Sequence, residues 1–435
     1  MFHLIVGALL SWATVVASLQ RNVSHTINPG CIPSICNDSL VDDAVNLVHL
    51  QAVGPSDSIH ALWSTVGSPA ALIARTSNAV NLSVDWASFV GGPHIFDVDV
   101  DVAPSNDIHF SSPPSVAFGF ILRHLVEYDD VDDVADPVYY EKNNKTVARK
   151  EFPLDDRRWS PVTIRDNDTF VFQTSPSDPD FGTSLRLEVR MSGGLTRGEA
   201  LPRLQLTPNN THLDFFLDNK TSSFDHSRFY LIADVVNEDY PLKLTDELTI
   251  DDEYTPGVFK TFRFGGGFGT AGTDADKGRY AAWKPVAYTT EERSLEMQTL
   301  VKAFDQGPVG AGVNDVKSVV RAYFGRIGLL VEESQQIKIG FGQPDDKFYR
   351  ASNYCVWSVL VGISRPPEDE ISALVLIVIA VGLGVPAVFV VLGGIYAGIR
   401  KRKESKSAGS PARKNDVNSP LMEEPTESSY GAINT

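Results

Sequence analysis

Leu185-Arg-Leu-Glu-Val-Arg-Met191 decides the fold class. Leu, Leu, Val and Met alternate with Arg, Glu and Arg, the period-two pattern of a strand that buries one face. Runs of the same kind recur at 45–53, 70–75, 80–90, 116–126, 169–173, 229–236, 336–341 and 355–363. They are short, rich in Val, Phe and Ile, and separated by Gly, Pro, Asn or Asp, which predicts a mainly β, sandwich-like fold. Amphipathic helices are scarce, with Glu291–Phe304 the best candidate. The loop-rich stretch Ser192–Asn210 predicts a boundary, giving β domains over 19–200 and 201–370.

The two ends of the chain supply its address. Residues 1–18 carry no charged side chain, and Val16 and Ser18 stand at the small-residue spacing of a cleavage site, so a signal peptide is expected there. Residues 371–399 contain no Asp, Glu, Lys or Arg, and about 20 such residues cross the hydrocarbon core as a helix. Arg400, Lys401, Arg402 and Lys403 follow, while Glu368, Asp369 and Glu370 precede. The positive-inside rule then places 400–435 in the cytosol and 19–370 in the lumen, a type I topology. The net charge of −17 divides into +2 on the tail and −19 on the luminal part. That acidity argues against nucleic-acid binding, which needs a Lys/Arg surplus. Acid pH would neutralise part of it, as suits an acidic organelle.

Sequons begin at Asn22, Asn37, Asn81, Asn144, Asn167, Asn209 and Asn219. Nineteen Asn and the Ser plus Thr content predict roughly three by chance, and all seven lie on the luminal side. Cys31 and Cys36 could close a small disulfide ring in an oxidising lumen. Cys355 is either a buried free thiol or the distant partner of one of them.

Chemical signatures are weak. Gly267-Phe-Gly269-Thr-Ala-Gly272 has the spelling of a dinucleotide loop without its βαβ context, and reads as a surface loop. Asp97, Asp99 and Asp101 alternate, but Val102 and Ile108 occupy the Gly and Glu positions of an EF-hand, so a solvated strand edge is expected. Asp129, Asp130, Asp132 and Asp133 read as a turn, and Ile250–Lys260 as a turn entering a strand. No two of the nine His have the His-x3-His spacing of zinc proteases, and G-x-S-x-G is absent. A Ser-His-Asp set dispersed along the chain remains open to the fold. No catalytic residue, metal ligand or cofactor is assigned. In the span, Gly394 and Gly398 form a GxxxG that permits close helix packing, and Pro386 predicts a kink. In the tail, Tyr430-Gly-Ala-Ile433 fits the Tyr-x-x-bulky signal that clathrin adaptors bind as an added strand.

Several segments together resemble a known family. They are Ala52-Val-Gly54, Ile59-His-Ala-Leu-Trp63-Ser64, Leu82-Ser-Val-Asp-Trp86, Asp107-Ile-His-Phe-Ser-Ser112 and Ile250-Asp-Asp-Glu-Tyr254, then Trp283-Lys-Pro-Val-Ala-Tyr288, Val320-Arg-Ala-Tyr-Phe-Gly325 and Ala380-Val-Gly-Leu-Gly-Val-Pro386. With the Tyr-x-x-Ile-Asn ending, the chain resembles the glycosylated lysosomal membrane protein family over nearly its whole length. The resemblance implies a non-enzymatic accessory subunit that pairs with a lysosomal major facilitator dipeptide transporter and protects it from luminal proteolysis. The tail is longer than the family's and mid-luminal cysteines are few. A luminal ligand-binding receptor and a membrane-tethered lysosomal hydrolase are the alternatives.

Overall fold

In the computed structural model, Leu185–Met191 is a strand over those same seven residues, with Leu185, Leu187, Val189 and Met191 in the core. The structure describes residues 20–36, 43–91, 107–166, 168–237, 242–251, 257–267, 277–308, 317–325, 334–367, 382, 386 and 389–403. Residues 1–370 cluster as one unit and 371–435 as a second.

The strands of the first unit run β1 (Asn22–Ile27), β2 (Leu47–Val53), β3 (Asp57–Ser64), β4 (Ala70–Ser77), β5 (Leu82–Val84), β6 (Ile108–Phe110), β7 (Val116–Asp129), β8 (Arg149–Pro153), β9 (Thr163–Arg165), β10 (Thr169–Gln173) and β11 (Leu185–Met191). They continue as β12 (Thr196–Arg197), β13 (Gln205–Leu206), β14 (Asn210–Asp218), β15 (Ser227–Val236), β16 (Lys243–Asp251), β17 (Gly257–Gly266), β18 (Arg279–Trp283), β19 (Val286–Tyr288), β20 (Gln298–Pro308), β21 (Ser334–Phe341) and β22 (Tyr354–Ile363). Short helices are α1 (Pro33–Cys36), α2 (Trp86–Gly91), α3 (Pro137–Lys142) and α4 (Val319–Phe324).

All named strand pairs are antiparallel. One layer runs β1-β2-β3-β4-β7-β15-β21-β20, with β8 on the far half of β7. The other runs β9-β10-β11-β14-β22-β18-β17-β16. β19 pairs with both β20 and β22 and makes the two layers continuous. Both supply one core cluster, in which Trp63, Phe118 and Phe120 of the first layer join Leu187, Phe215 and Trp357 of the second. The fold is mainly β, as expected, and forms one large antiparallel sheet whose two halves share a core, because alternate residues of each strand face inward and exclude water together.

Three expectations are corrected. The boundary near residue 200 is absent, because β11 and β14 on either side of it pair in register, Leu187 opposite Phe215. Ser192–Asn210 is therefore a long connection between neighbours in one sheet. Residues 80–90 form only a short strand before α2. Asp85 starts that helix, its Oδ1 accepting from the Ser88 N–H at 3.2 Å and its carbonyl from the Phe89 N–H at 2.8 Å, while Trp86 and Phe89 pack into a second apolar cluster. Glu291–Phe304 is not a helix. A 3-10 turn at Leu295–Met297 leads into β20, where Leu300 lies opposite Val286 and Val301 enters the core.

In the second unit, residues 389–403 are helical. Among the described residues no helix is long and apolar enough to cross a membrane. The expected span 371–399 begins outside the described residues.

Candidate functional site

A cluster of charged side chains sits on the outer face of β11. Because β11 buries Leu185, Leu187 and Val189, it must present Arg186, Glu188 and Arg190 on its other side. On β14, Leu213, Phe215 and Leu217 face the core, which leaves His212, Asp214 and Phe216 on that same outer side. Register places Glu188 beside Asp214 and Asp214 beside Ser358 of β22, so three polar residues stand in one row across three strands. Arg293 covers the row from the β19–β20 connection. It donates to Asp214 Oδ2 at 2.8 Å, to Ser358 Oγ at 3.3 Å and to the Leu201 carbonyl at 2.9 Å. Arg165 of β9 pairs with Glu188, and the Arg186 guanidinium lies 4.1 Å from the Phe216 ring centroid. Arg165, Arg186, Glu188, Asp214, Phe216 and Arg293 line a cavity of about 210 Å³.

Burial pushes the Asp214 carboxyl up, but the charges of His212 and Arg293, with hydrogen bonds from Arg293 and Ser358, hold it down at about 2. Burial, with Arg190 and Arg293 adding to it, lowers His212 to about 4 against the pull of Asp214. At pH 5 the row thus holds an ionised carboxylate and a neutral imidazole. His212 Nε2 lies 3.5 Å from Asp214 Oδ1, and Ser358 Oγ donates to that same oxygen. The hydroxyl is committed to the carboxylate. A hydrolytic triad instead places the serine on the imidazole.

Two other polar groupings are built into the fold. Arg228 of β15, nearly sealed from solvent, donates Nε to Asp130 at 2.7 Å, Nη1 to Asp346 at 2.7 Å and Nη2 to Asp133 at 2.6 Å. The acidic turn after β7 is thus a turn, as expected, with two of its carboxylates aimed at a buried guanidinium. On β2 and β3, His49 Nε2 lies 2.9 Å from His60 Nδ1, and His60 Nε2 lies 2.9 Å from Thr76 Oγ1. Burial lowers His49 to about 4, and burial followed by the charge of His49 lowers His60 to about 3.

The sequence reading assigned none of these side chains. For His212, Asp214 and Phe216 the signal was present in their alternation with Leu213, Phe215 and Leu217. For Arg228 and Arg293 there was none, since their partners lie far away in sequence.

Asn22, Asn81, Asn144 and Asn219 are exposed, Asn209 is half-buried with its Nδ2 3.5 Å from Ser364 Oγ, and Asn37 and Asn167 lie outside the described residues. Cys31 and Cys36 are disulfide-bonded, and Cys355 is a buried free thiol. Gly394 and Gly398 lie on the 389–403 helix, and a Cβ added at either would meet nothing within 4 Å. Asp97, Asp99, Asp101, Tyr430 and Ile433 lie outside the described residues, as does most of Gly267–Gly272. Ile250 and Asp251 close β16, and β17 resumes at Gly257.

The family model for glycosylated lysosomal membrane protein matches residues 46–404. The chain belongs to the glycosylated lysosomal membrane protein family. It is 29% identical over 401 residues to the glycosylated lysosomal membrane protein of Danio rerio, covering 91% of this chain and 93% of that one. It is 27% identical over 386 residues to the Xenopus laevis B protein, covering 86% and 89%. Against the human protein the identity is 28% over 375 residues, covering 83% and 86%. Family membership carries the description of a lysosomal membrane glycoprotein, and the match runs from β2 through β22 to the C-terminal helix.

Proposed function

We propose that this protein is a type I lysosomal glycoprotein without enzymatic activity. In this reading it binds and stabilises a multi-span major facilitator transporter for dipeptides and shields it from luminal proteases. Residues 1–18 act as a signal peptide, 371–399 span the membrane, and Tyr430 and Ile433 present the tail to clathrin adaptors.

One observation carries the membrane-partner reading. Phe389, Val390, Val391, Leu392, Ile395, Tyr396 and Ile399 are all exposed, from 53% to 75%. At 100° per residue they surround the helix, and a helix apolar on every side belongs in lipid or against other helices. Gly394 and Gly398 offer one strip along which a second backbone can approach closely. Four exposed sequon asparagines support the shielding part, since glycans are bulky and solubilising.

The test is the fate of the transporter when this chain is absent. Deleting the gene should lower the abundance of a lysosomal major facilitator protein with its transcript unchanged, and inhibiting luminal proteases should restore it. Unchanged abundance of every such transporter contradicts the proposal. The cavity beside Asp214 favours the receptor reading if the purified luminal unit captures a small ligand.

A further inference from the structure

Asn219 follows β14 directly, opens the sequon Asn219-Lys-Thr221, and lines a cavity of about 780 Å³. Small-ligand sites occupy roughly 300–1,000 Å³, so the space is of the size that seats a sugar or two. The asparagine is fixed within it. Its backbone N–H donates to the Asn353 carbonyl at 2.7 Å, and its φ is +53°. Its Nδ2 donates to Asp218 Oδ1 at 2.9 Å. A side-chain amide nitrogen carries two hydrogens, so one can hold that bond while the other is replaced.

The cavity lining has two characters. Val131 is 64% exposed and Phe224 is half-buried, which leaves apolar surface uncovered beside the sequon. Around them stand His226, whose Nδ1 lies 3.2 Å from Asp129 Oδ1, and Arg350, paired with Asp225. An apolar patch ringed by donors and acceptors matches a pyranose, which has one C–H face and a rim of hydroxyl and acetamido groups.

We propose that the glycan on Asn219 folds its first N-acetylglucosamine residues back into this cavity, covering Val131 and Phe224. Attachment forms the Nδ2–C1 bond as the C1–O bond to a lipid-pyrophosphate oligosaccharide donor breaks. The lipid pyrophosphate leaves with the electron pair and one Nδ2 proton is released. The remaining Nδ2–H keeps its bond to Asp218 and aims C1 at the cavity. The glycan is then a packed part of the luminal unit. Asn22, at the start of an edge strand, serves as the comparison. The inference rests on the luminal placement and is independent of any transporter.

The experiment is site-resolved release by peptide-N-glycosidase from the purified full-length glycoprotein, read as conversion of Asn to Asp. On native protein, release at Asn219 should be about tenfold slower than at Asn22, the factor that 1.4 kcal/mol of seating gives. The two rates should match after denaturation. Val131→Glu, at an exposed position that leaves the core untouched, should bring the native rate at Asn219 up toward that at Asn22. Equal native rates overturn the proposal, as does an empty Asn219 on a chain glycosylated at Asn22 and Asn81. Absence of glycan from all three overturns the luminal placement itself.

Discussion

His60 should make the β unit less stable at pH 5 than at pH 7, and replacing it should remove a defined part of that loss. The ring is 1% exposed, contacts His49 and Thr76 through its two nitrogens, and lies edge-on to Phe110 at 5.1 Å. Its folded pKa is about 3 against an ordinary 6.5, so below pH 6.5 the unfolded chain binds a proton that the folded chain refuses. Stability from this group is complete above pH 6.5, falls as pH drops, and stops falling near pH 3. From 6.5 to 5 is 1.5 pH units at 1.36 kcal/mol each, or about 2 kcal/mol. Urea unfolding at pH 7 and pH 5 measures it, followed by the fluorescence of the buried Trp63, Trp159, Trp283 and Trp357. His60→Gln should lose about 2 kcal/mol less than the wild type between the two pH values. Asp234 works in the opposite sense, because burial raises its carboxyl, but it is common to both proteins and cancels in the difference. Identical losses in the two proteins refute the reasoning.

Other consequences follow from the same packing. Arg228→Met leaves the buried Asp130 without its cation and should cost about 3–5 kcal/mol in urea unfolding, with Asp130→Asn in that background recovering part of it. Cys355 should resist alkylation in the native protein and react on unfolding, since burial raises its thiol to about 12. Gly67→Ala should lower stability by at least about 1–2 kcal/mol, because φ is +76° and the new Cβ would lie 2.1 Å from the Lys317 carbonyl oxygen.

Strands were legible where one face is buried. β10 and β11 fall on the residues that alternation marked, since the period-two pattern is itself the record of which side meets the core. The pattern failed at Glu291–Phe304, where Leu300, Val301 and Phe304 fit a helical face as well as a strand. Closure of the two layers by β19 and β20 decided the outcome, and no local spacing reports that event. The domain cut failed for a related reason. A Gly- and Pro-rich stretch marks a loop, but whether the flanking strands separate or pair is fixed by their partners. The same holds for the site. The even-numbered residues of β14 were readable as an outer face, whereas Arg293 reaches Asp214 from 79 residues away. Asp130 read correctly as a turn residue, yet its burial against Arg228 depends on β7 pairing with β15.

The proposed multi-span partner would pack along the Gly394 and Gly398 strip of the C-terminal helix. Purification of the tagged full-length chain in mild detergent tests it most directly, with quantification of what co-purifies. A major facilitator transporter should be recovered in near-equal amount, and should be lost when Gly394→Leu and Gly398→Leu are introduced together. Recovery of the chain with no multi-span protein would contradict it.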